Sequence, residues 1–192
     1  DFRLLGCIPF PPELNAPRTR DVADLMGAQV LNAGDSAPRR LRPLLLCART
    51  MRNTVELLKP GVLVVTPGDR DDIILAVSLA AINGVPLAGL LLTSDTLPDP
   101  RIMDLCRGAL QAGLPVLSVS TGSYDTANLL NGLNKEIPID DRERAEIITD
   151  FVASHLDANW LHQRCGTPRE MRLSPAVFRY QLIQHAQAAN KR

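Results

Sequence analysis

Residues 62–95 read VLVVTPGDRDDIILAVSLAAINGVPLAGLLLTSD and decide the fold. Two short apolar runs, Val62–Val65 and Leu87–Leu92, are typical of strands that are buried on both faces of a sheet. Between them, Asp71–Asn83 has the length and composition of a buried helix, which Gly84 would end. A strand, a helix and a second strand with connections this short predict parallel pairing through a right-handed crossover.

The same alternation continues on both sides of this unit. Downstream we predict a helix, a strand and a helix: Asp99–Ala112, Pro115–Val119 and Tyr124–Leu133. Upstream we predict a helix ended by Gly27, a strand, an edge strand interrupted by Pro43, and a helix: Thr19–Met26, Gln29–Asn32, Leu41–Ala48 and Met51–Leu58. The sequence therefore predicts an α/β protein, a three-layer α/β/α sandwich with a mostly parallel sheet, followed by C-terminal helices.

Short polar segments follow the three central strands at the point where each strand ends. Residues 66–70 follow the first strand, residues 93–95 the second and residues 120–122 the third. The carboxyl ends of parallel strands share one edge of the sheet, and folds of this class bind ligands there. The candidate ligand-binding residues are therefore Asp69, Arg70, Thr93, Ser94, Asp95, Ser120 and Thr121.

Two interpretations of Asp69 and Arg70 stay open. In the first, acidic residues complement the dipole at the start of a helix and cap its free N–H groups, while Arg70 pairs with a carboxylate. In the second, Arg70 and free N–H groups hold a phosphate or carboxylate, and an aspartate binds a ribose hydroxyl. Without a ligand we expect internal pairing to dominate, so that Arg70→Ala weakens folding by about 3 kcal/mol. The available partners are Asp69, Asp71, Asp72 and Asp95.

The chain contains no complete catalytic, cofactor or metal motif. It has no nucleotide-binding loop with the spacing Gly-x-Gly-x-x-Gly or Gly-x-x-x-x-Gly-Lys-Ser/Thr, and no serine in a Gly-x-Ser-x-Gly turn. Its histidines, His155, His162 and His185, have no cysteine or carboxylate at metal-ligand spacing. We therefore predict no catalytic residue, no cofactor and no metal ion within this chain.

Charge and composition exclude two classes of partner. The 21 basic residues balance 21 acidic ones, which argues against binding to nucleic acid or to an anionic membrane. The longest apolar stretch, Ile73–Ile82, is about half of the ~20 residues that a transmembrane helix needs. Four widely spaced cysteines, without a signal peptide, predict a reducing, cytoplasmic location. A basic spot at Arg39, Arg40 and Arg42 could meet an anion but is more typical of a solvated loop.

Three segments carry a resemblance to a known family. Residues 5–9, 12–19 and 174–182 read LGCIP, PELNAPRT and SPAVFRYQL. Together they resemble the long bacterial phosphate acetyltransferase (phosphotransacetylase), and the resemblance covers essentially the whole chain. That family has a P-loop, dethiobiotin-synthetase-like region first, a DRTGG domain in the middle and an acyl-transfer domain last. This chain resembles the middle of that arrangement.

The resemblance implies four segments. Residues 1–17 would be a remnant of the preceding P-loop domain, with a strand at Phe2–Ile8, and a linker. Residues 18–139 would be the DRTGG α/β domain, and residues 140–163 a helical extension. Residues 164–192 would be a linker and, from Ser174 onward, a helix leading into the acetyltransferase domain.

The family signature can be placed on individual residues of the candidate site. Asp69 and Arg70 match its Asp-Arg pair and Thr93 its threonine, but Ser94 and Asp95 stand where the family has two glycines. The departure bears on ligand binding, because glycine permits a positive φ and close approach of a ligand to the backbone. For the parent protein, the resemblance implies reversible acetyl transfer between acetyl-CoA and phosphate, in acetate metabolism, by residues of the downstream domain.

We expect this chain to be a non-catalytic segment that regulates and assembles its parent. It would bind a small-molecule metabolite and self-associate as a dimer or higher homo-oligomer, through the apolar stripes after residue 140. One stripe is Ile148, Val152 and Leu156, and the other, in the last helix, is Phe178, Leu182, His185 and Ala189. One alternative is a stand-alone domain or enzyme that binds a nucleotide or carboxylate through Asp69 and Arg70. Another is a structural spacer without a ligand, and occupancy of the strand ends would distinguish these functions.

Overall fold

The computed structural model describes residues 2–133 and 136–165, leaving aside the side chain of Cys165. These residues form two compact units, one of residues 10–146 and the other of residues 2–9 with 147–165. The domain boundaries expected after residues 17 and 139 fall within the first unit, and they stay predictions. The helix expected to start at Ser174 lies outside the described residues.

Five strands form one sheet in the larger unit. They are β1 (Gln29–Asn32), β2 (Leu44–Leu46), β3 (Leu63–Pro67), β4 (Gly89–Thr93) and β5 (Val116–Ser118). Their spatial order is β1-β5-β4-β3-β2, with β1 antiparallel to β5 and all other neighbours parallel. The mostly parallel sheet expected from the sequence is confirmed, with β2 at its edge as predicted. This strand is shorter than the predicted Leu41–Ala48, because it begins after Pro43, which cannot donate a hydrogen bond to the ladder.

Eight α-helices lie in the described part of the chain. They are α1 (Thr19–Met26), α2 (Met51–Thr54), α3 (Asp71–Ile82), α4 (Pro100–Leu105), α5 (Arg107–Gln111), α6 (Ser123–Asn131), α7 (Arg142–Ser154) and α8 (Ala158–Cys165). Short 3₁₀ turns occupy Pro12–Asn15 and Val55–Leu57. None of the helices within these described ranges is long and apolar enough to cross a membrane.

Helices cover both faces of the sheet, because side chains alternate from one face to the other along each central strand. Val64 of β3 packs in one core with Ile73 of α3. Its neighbour Val65 packs in a second core with Val22 of α1 and Leu130 of α6. This arrangement confirms the three-layer α/β/α sandwich.

The single helix expected over Asp99–Ala112 is divided into α4 and α5. At Cys106 the backbone ψ is −2°, away from the helical value, and the Cys106 N–H is shared between the carbonyls of Ile102 and Met103. Asp99 caps α4 by accepting a hydrogen bond from the Arg101 N–H, so the predicted start of the helical region is correct.

The smaller unit differs from the sequence prediction at two points. The strand expected at Phe2–Ile8 is wrong, since only an isolated bridge between Gly6 and Leu156 forms, supported by the Asp157 N–H donating to the Leu5 carbonyl at 2.8 Å. The partner of this bridge lies in the turn that follows α7 and not in a strand. The hydrogen bonds therefore cannot continue into a ladder. In addition, α8 continues to Cys165, two residues into the linker expected from residue 164.

Candidate functional site

The three central strands end side by side. Pro67 at the end of β3 pairs with Thr93 at the end of β4, and Leu92 pairs with Ser118 at the end of β5. The loop after β4 is then tied to the loop after β5, because the Ser94 N–H donates to the Thr121 carbonyl at 2.9 Å. The structure therefore brings the seven candidate residues to one edge of the sheet, and we call them the carboxyl-edge cluster.

Arg70 pairs with Asp72 rather than with an aspartate of the cluster. Its Nε and Nη2 atoms donate to the two Asp72 carboxylate oxygens at 2.8 and 2.9 Å, and Nη2 also donates to the Arg49 carbonyl at 3.1 Å. Hydrogen bonding from Arg70 lowers the pKa of the Asp72 carboxyl, against a smaller opposing effect of burial. Both side chains are partly exposed, at 31% and 43%, so the pair is accessible to a competing anion.

Ser94 and Asp95 both adopt the left-handed conformation, with φ of 67° and 53°. The turn therefore has the backbone conformation that glycine allows without strain, although neither residue is glycine. Both side chains are exposed. Where the family signature has two glycines, this chain thus presents a hydroxyl and a carboxylate at the edge.

Gly68 fits a close contact between the loops after β3 and β4. A Cβ atom at this position would lie 1.6 Å from the Thr96 carbonyl oxygen, a distance that no side chain could occupy without moving the backbone. Glycine is required here by close packing, since its φ is not positive. The loops after β3 and β4 are therefore packed directly against each other at this point.

Hydroxyl groups cluster between the loop after β5 and the end of β4. Thr93 Oγ1 and Ser123 Oγ are 2.6 Å apart, and Thr121 Oγ1 and Thr126 Oγ1 are 2.7 Å apart. Ser120, which directly precedes Thr121, is exposed. Ser123 begins α6, whose N-terminus is not capped by a side chain. Such a loop offers hydroxyls and backbone N–H groups to an oxygen-rich ligand.

A buried hydroxyl lies just inside this edge, on β3. Thr66 is fully buried, and its Oγ1 atom has no hydrogen-bond partner within residues 2–133 and 136–165. Its position in the strand places it on the same face as Val64, toward α3. Among these described residues no group of three or more histidine, cysteine, aspartate or glutamate side chains is arranged to hold a metal ion.

Sequence reasoning missed a second charged group, which lies beside the amino end of β4. We call Arg18, Asp21, Arg40, Asp141 and Arg144 the buried ion-pair cluster. Arg40 donates two hydrogen bonds of 2.8 Å to the carboxylate of Asp141, and Arg18 donates to Asp21 at 2.7 and 2.9 Å. Arg18, Asp141 and Arg144 are at most 5% exposed.

Asp141 has two structural roles in this cluster. Its carboxylate accepts a hydrogen bond from the Arg144 N–H and so caps α7, while it pairs with Arg40. Hydrogen bonds from Arg40 lower the pKa of the Asp141 carboxyl from its ordinary value of 3.8 to about 2, despite burial. Burial lowers the pKa of Arg144, whose guanidinium donates to the Leu14 carbonyl at 2.7 Å.

A groove of about 680 Å³ lies next to the buried ion-pair cluster, between α1 and residues 136–140. Val22, Leu25, Leu133 and Pro138 supply its apolar lining. Arg20 at its rim is paired with Asp140. The groove has the size of a small-molecule site. None of the residues that line it belongs to the carboxyl-edge cluster.

Comparisons with known proteins identify the relatives of this fold. Residues 21–133 match the model of the DRTGG domain family. Over its full length the chain is 82% identical to a phosphate acetyltransferase of Pseudomonas putida and 73% identical to that of Pseudomonas aeruginosa, and over 98% of its length it is 40% identical to that of Escherichia coli K12. It spans 27–28% of the length of these relatives. The resemblance stated from the three sequence segments is confirmed.

A solved structure supports the fold assignment. The crystal structure of the CBS and DRTGG domains of the regulatory region of Clostridium perfringens pyrophosphatase, complexed with the activator diadenosine tetraphosphate, aligns with a TM-score of 0.50 at 15% identity. The alignment covers 62% of this chain and 47% of that one. At 15% identity, this similarity is evidence for the fold alone.

Proposed function

We propose that this chain, which belongs to the DRTGG domain family, is the regulatory and assembly segment of a phosphate acetyltransferase. The observation that carries the proposal is the identity of 82% over all 192 residues to 28% of one such enzyme. The whole enzyme would interconvert acetyl-CoA and phosphate with acetyl phosphate and CoA, within acetate metabolism. We place it in the cytoplasm, in keeping with the free thiols of Cys7, Cys47 and Cys106.

The segment itself would perform no acetyl transfer. Polarising a thioester carbonyl takes donors aimed at one oxygen beside a general base, and in the carboxyl-edge cluster Arg70, Thr93 and Thr121 are already paired with neighbouring side chains. The test is release of CoA from acetyl-CoA and phosphate by the purified chain. Turnover above that of a buffer control would contradict this part of the proposal.

The regulatory role would consist of binding a small metabolite at the carboxyl-edge cluster. Support comes from the position of the cluster at the ends of parallel strands, from its hydroxyl groups and from a partly exposed arginine. An anionic ligand, such as a nucleotide or a carboxylate, would displace Asp72 from Arg70. An exposed ion pair of this kind contributes at most about 1 kcal/mol, so ligand binding energy suffices to exchange it.

Hydrogen–deuterium exchange tests where such a ligand binds. ATP, diadenosine tetraphosphate and short carboxylic acids are the probes. We expect protection of backbone amides in the loops after β3, β4 and β5 when a probe binds. Protection confined to the groove beside α1 would show that the ligand binds in that groove instead. Absence of protection with every probe would favour the alternative function, a structural spacer without a ligand. The spacer has one observation in its favour, the close contact of Gly68 with Thr96.

The assembly role would consist of self-association. Large apolar side chains on several helices of the α/β unit are more than half exposed, including Leu25, Leu79, Leu105 and Leu129. By contrast, Ile148, Val152 and Leu156, one of the two stripes that the sequence suggested as the contact, are only partly exposed. The stripe expected in the last helix lies outside the described residues. Sedimentation equilibrium of the chain tests the role, and a monomer at high concentration would contradict it.

A further inference from the structure

One buried side chain beside the carboxyl-edge cluster lacks the hydrogen bond that burial demands. Thr66, one residue before the end of β3, is fully buried, and in the described part of the chain its Oγ1 has no hydrogen-bond partner. By contrast, the equally buried Thr19 donates its hydroxyl to the Ala88 carbonyl at 2.7 Å. An unpaired buried hydroxyl destabilises a fold, so its presence at a ligand-binding edge indicates a partner that comes from outside the chain.

The Thr66 hydroxyl lies near the first turn of α3. Leu92, its register partner on β4, packs in the same core as Ile73 of α3, so the Thr66 side chain is on the face of the sheet that this helix covers. On the other side of β3, the Cys47 N–H donates to the Val65 carbonyl and places Cys47 beside Thr66. The hydroxyl is therefore flanked by the end of β2 and the start of α3.

The Asp72 carboxylate occupies the anion position at this helix start. Its two oxygens accept hydrogen bonds from Arg70 at 2.8 and 2.9 Å. These bonds lower the pKa of Asp72 against the effect of burial, with further hydrogen bonds from the backbone N–H groups of Ile73 and of Asp72 itself. Arg70 also donates to the Cys47 carbonyl at 3.4 Å. The ion pair therefore lies next to the residue that flanks Thr66.

We propose that this position binds a phosphoryl group of the effector, with the Thr66 hydroxyl as the donor to one of its oxygens. The phosphoryl group would replace the Asp72 carboxylate, and two of its oxygens would accept the hydrogen bonds from Arg70 and from the backbone of α3. Its third oxygen would give the Thr66 hydroxyl the partner that it lacks. The inference rests on the metabolite-binding role proposed above and narrows the ligand to a phosphorylated compound.

The ion pair also disfavours carboxylate ligands. Asp72 is tethered beside Arg70, so its carboxylate competes at an effective concentration of about millimolar or more. A free carboxylate has the same shape and charge as Asp72, and it gains nothing by replacing it. A phosphoryl group carries up to about two negative charges and three acceptor oxygens. The additional charge and the additional oxygen are what let it displace the internal carboxylate.

Calorimetric titration with pyrophosphate tests the role of Thr66. Thr66→Val keeps the shape of the side chain and removes the hydroxyl, so the affinity should fall at least about tenfold. The same change removes an unpaired polar atom, so the melting temperature should rise. Thr66→Ser keeps the hydroxyl and should bind like the parent chain. Thr19→Val is the matched control, and it should lower the melting temperature and leave the affinity unchanged.

Succinate is the matched carboxylate probe. The parent chain should bind it at least about tenfold more weakly than pyrophosphate, because it makes the hydrogen bonds of Asp72 and no others. Equal affinity for the two probes would overturn the selectivity for a phosphoryl group and would leave the metabolite-binding role in place.

Three further results would overturn the inference. If pyrophosphate binds and neither Thr66 variant changes its affinity, an ordered water satisfies the hydroxyl and the phosphoryl site is wrong. Equal losses in Thr66→Val and Thr66→Ser would assign the effect to packing and not to the hydroxyl. If pyrophosphate does not bind while another probe protects the strand ends from hydrogen exchange, the phosphoryl site fails and the metabolite-binding role stands. If no probe protects the strand ends, both fail together.

Discussion

The carboxyl-edge cluster and the buried ion-pair cluster place arginine and aspartate in opposite settings. Arg70 pairs with a residue two positions away, and both side chains remain partly exposed. Arg40 pairs with Asp141 across 101 residues, and the carboxylate is 2% exposed. An exchangeable pair at an open edge suits a ligand site, whereas a buried pair between distant segments holds the fold together.

The largest expected effect breaks the buried ion-pair cluster. Asp141→Ala removes the partner of Arg40 and the cap of α7, so we expect a loss of about 3–5 kcal/mol in the free energy of unfolding. Asp140→Ala is the matched control, because its side chain is 62% exposed and it should cost far less. Urea denaturation measures both, and equal losses would show that burial does not decide how much each carboxylate contributes to the free energy of unfolding.

A pH titration of stability sharpens the same comparison. The folded pKa of Asp141 is depressed to about 2, so its contribution is complete above pH 4 and is lost as the pH falls from 4 through 2. The shift corresponds to about 2 kcal/mol. We therefore expect Asp141→Asn to differ most from the parent chain above pH 4, with the gap narrowing toward pH 2. A gap independent of pH would assign the effect to packing alone.

Arg70→Ala tests the exposed pair and corrects an expectation. The sequence suggested a loss of about 3 kcal/mol, on the premise of a partly buried pair. With 31% and 43% exposure, the structure indicates a loss of at most about 1 kcal/mol. Thermal denaturation distinguishes these two values. A loss in the free energy of unfolding as large as that of Asp141→Ala would contradict the different energetic roles assigned to the two clusters.

The smallest expected effects concern the left-handed turn. Ser94→Gly should stabilise the chain by about 1 kcal/mol, because relief of backbone strain exceeds the added entropy of the unfolded state. Asp95→Gly should increase stability by less than Ser94→Gly, since aspartate tolerates the left-handed conformation better than serine. Ser120→Gly, at an exposed position without positive φ, should instead be slightly destabilising. Destabilisation by all three changes would mean that the side chains of Ser94 and Asp95 hold the loop.

The features that could be predicted from the sequence depend on interactions between residues close in sequence, whereas contacts between distant segments could not be predicted. Val62–Val65 and Leu87–Leu92 predicted strands because a strand buried on both faces must be apolar throughout, and the strand ends then fixed the carboxyl-edge cluster. The sequence predicted helical structure from residue 140, and α7 begins at Arg142, where the cap supplied by Asp141 is an interaction between residues close in sequence. Arg40 was assigned to a solvated loop, because nothing in its neighbourhood indicates a partner 101 residues away.

The most direct test of the account is calorimetric titration of the chain with ATP and with diadenosine tetraphosphate, comparing the parent with Asp72→Asn and Arg70→Ala. Asp72→Asn releases the guanidinium and should tighten binding several-fold, whereas Arg70→Ala should weaken it at least about tenfold. Arg101→Ala, which removes the similar local pair with Asp99, should leave the affinity unchanged. Binding that is indifferent to Arg70 and Asp72 alike would contradict the proposal that the carboxyl-edge cluster binds an anion. No binding of either nucleotide would contradict a nucleotide as that anion.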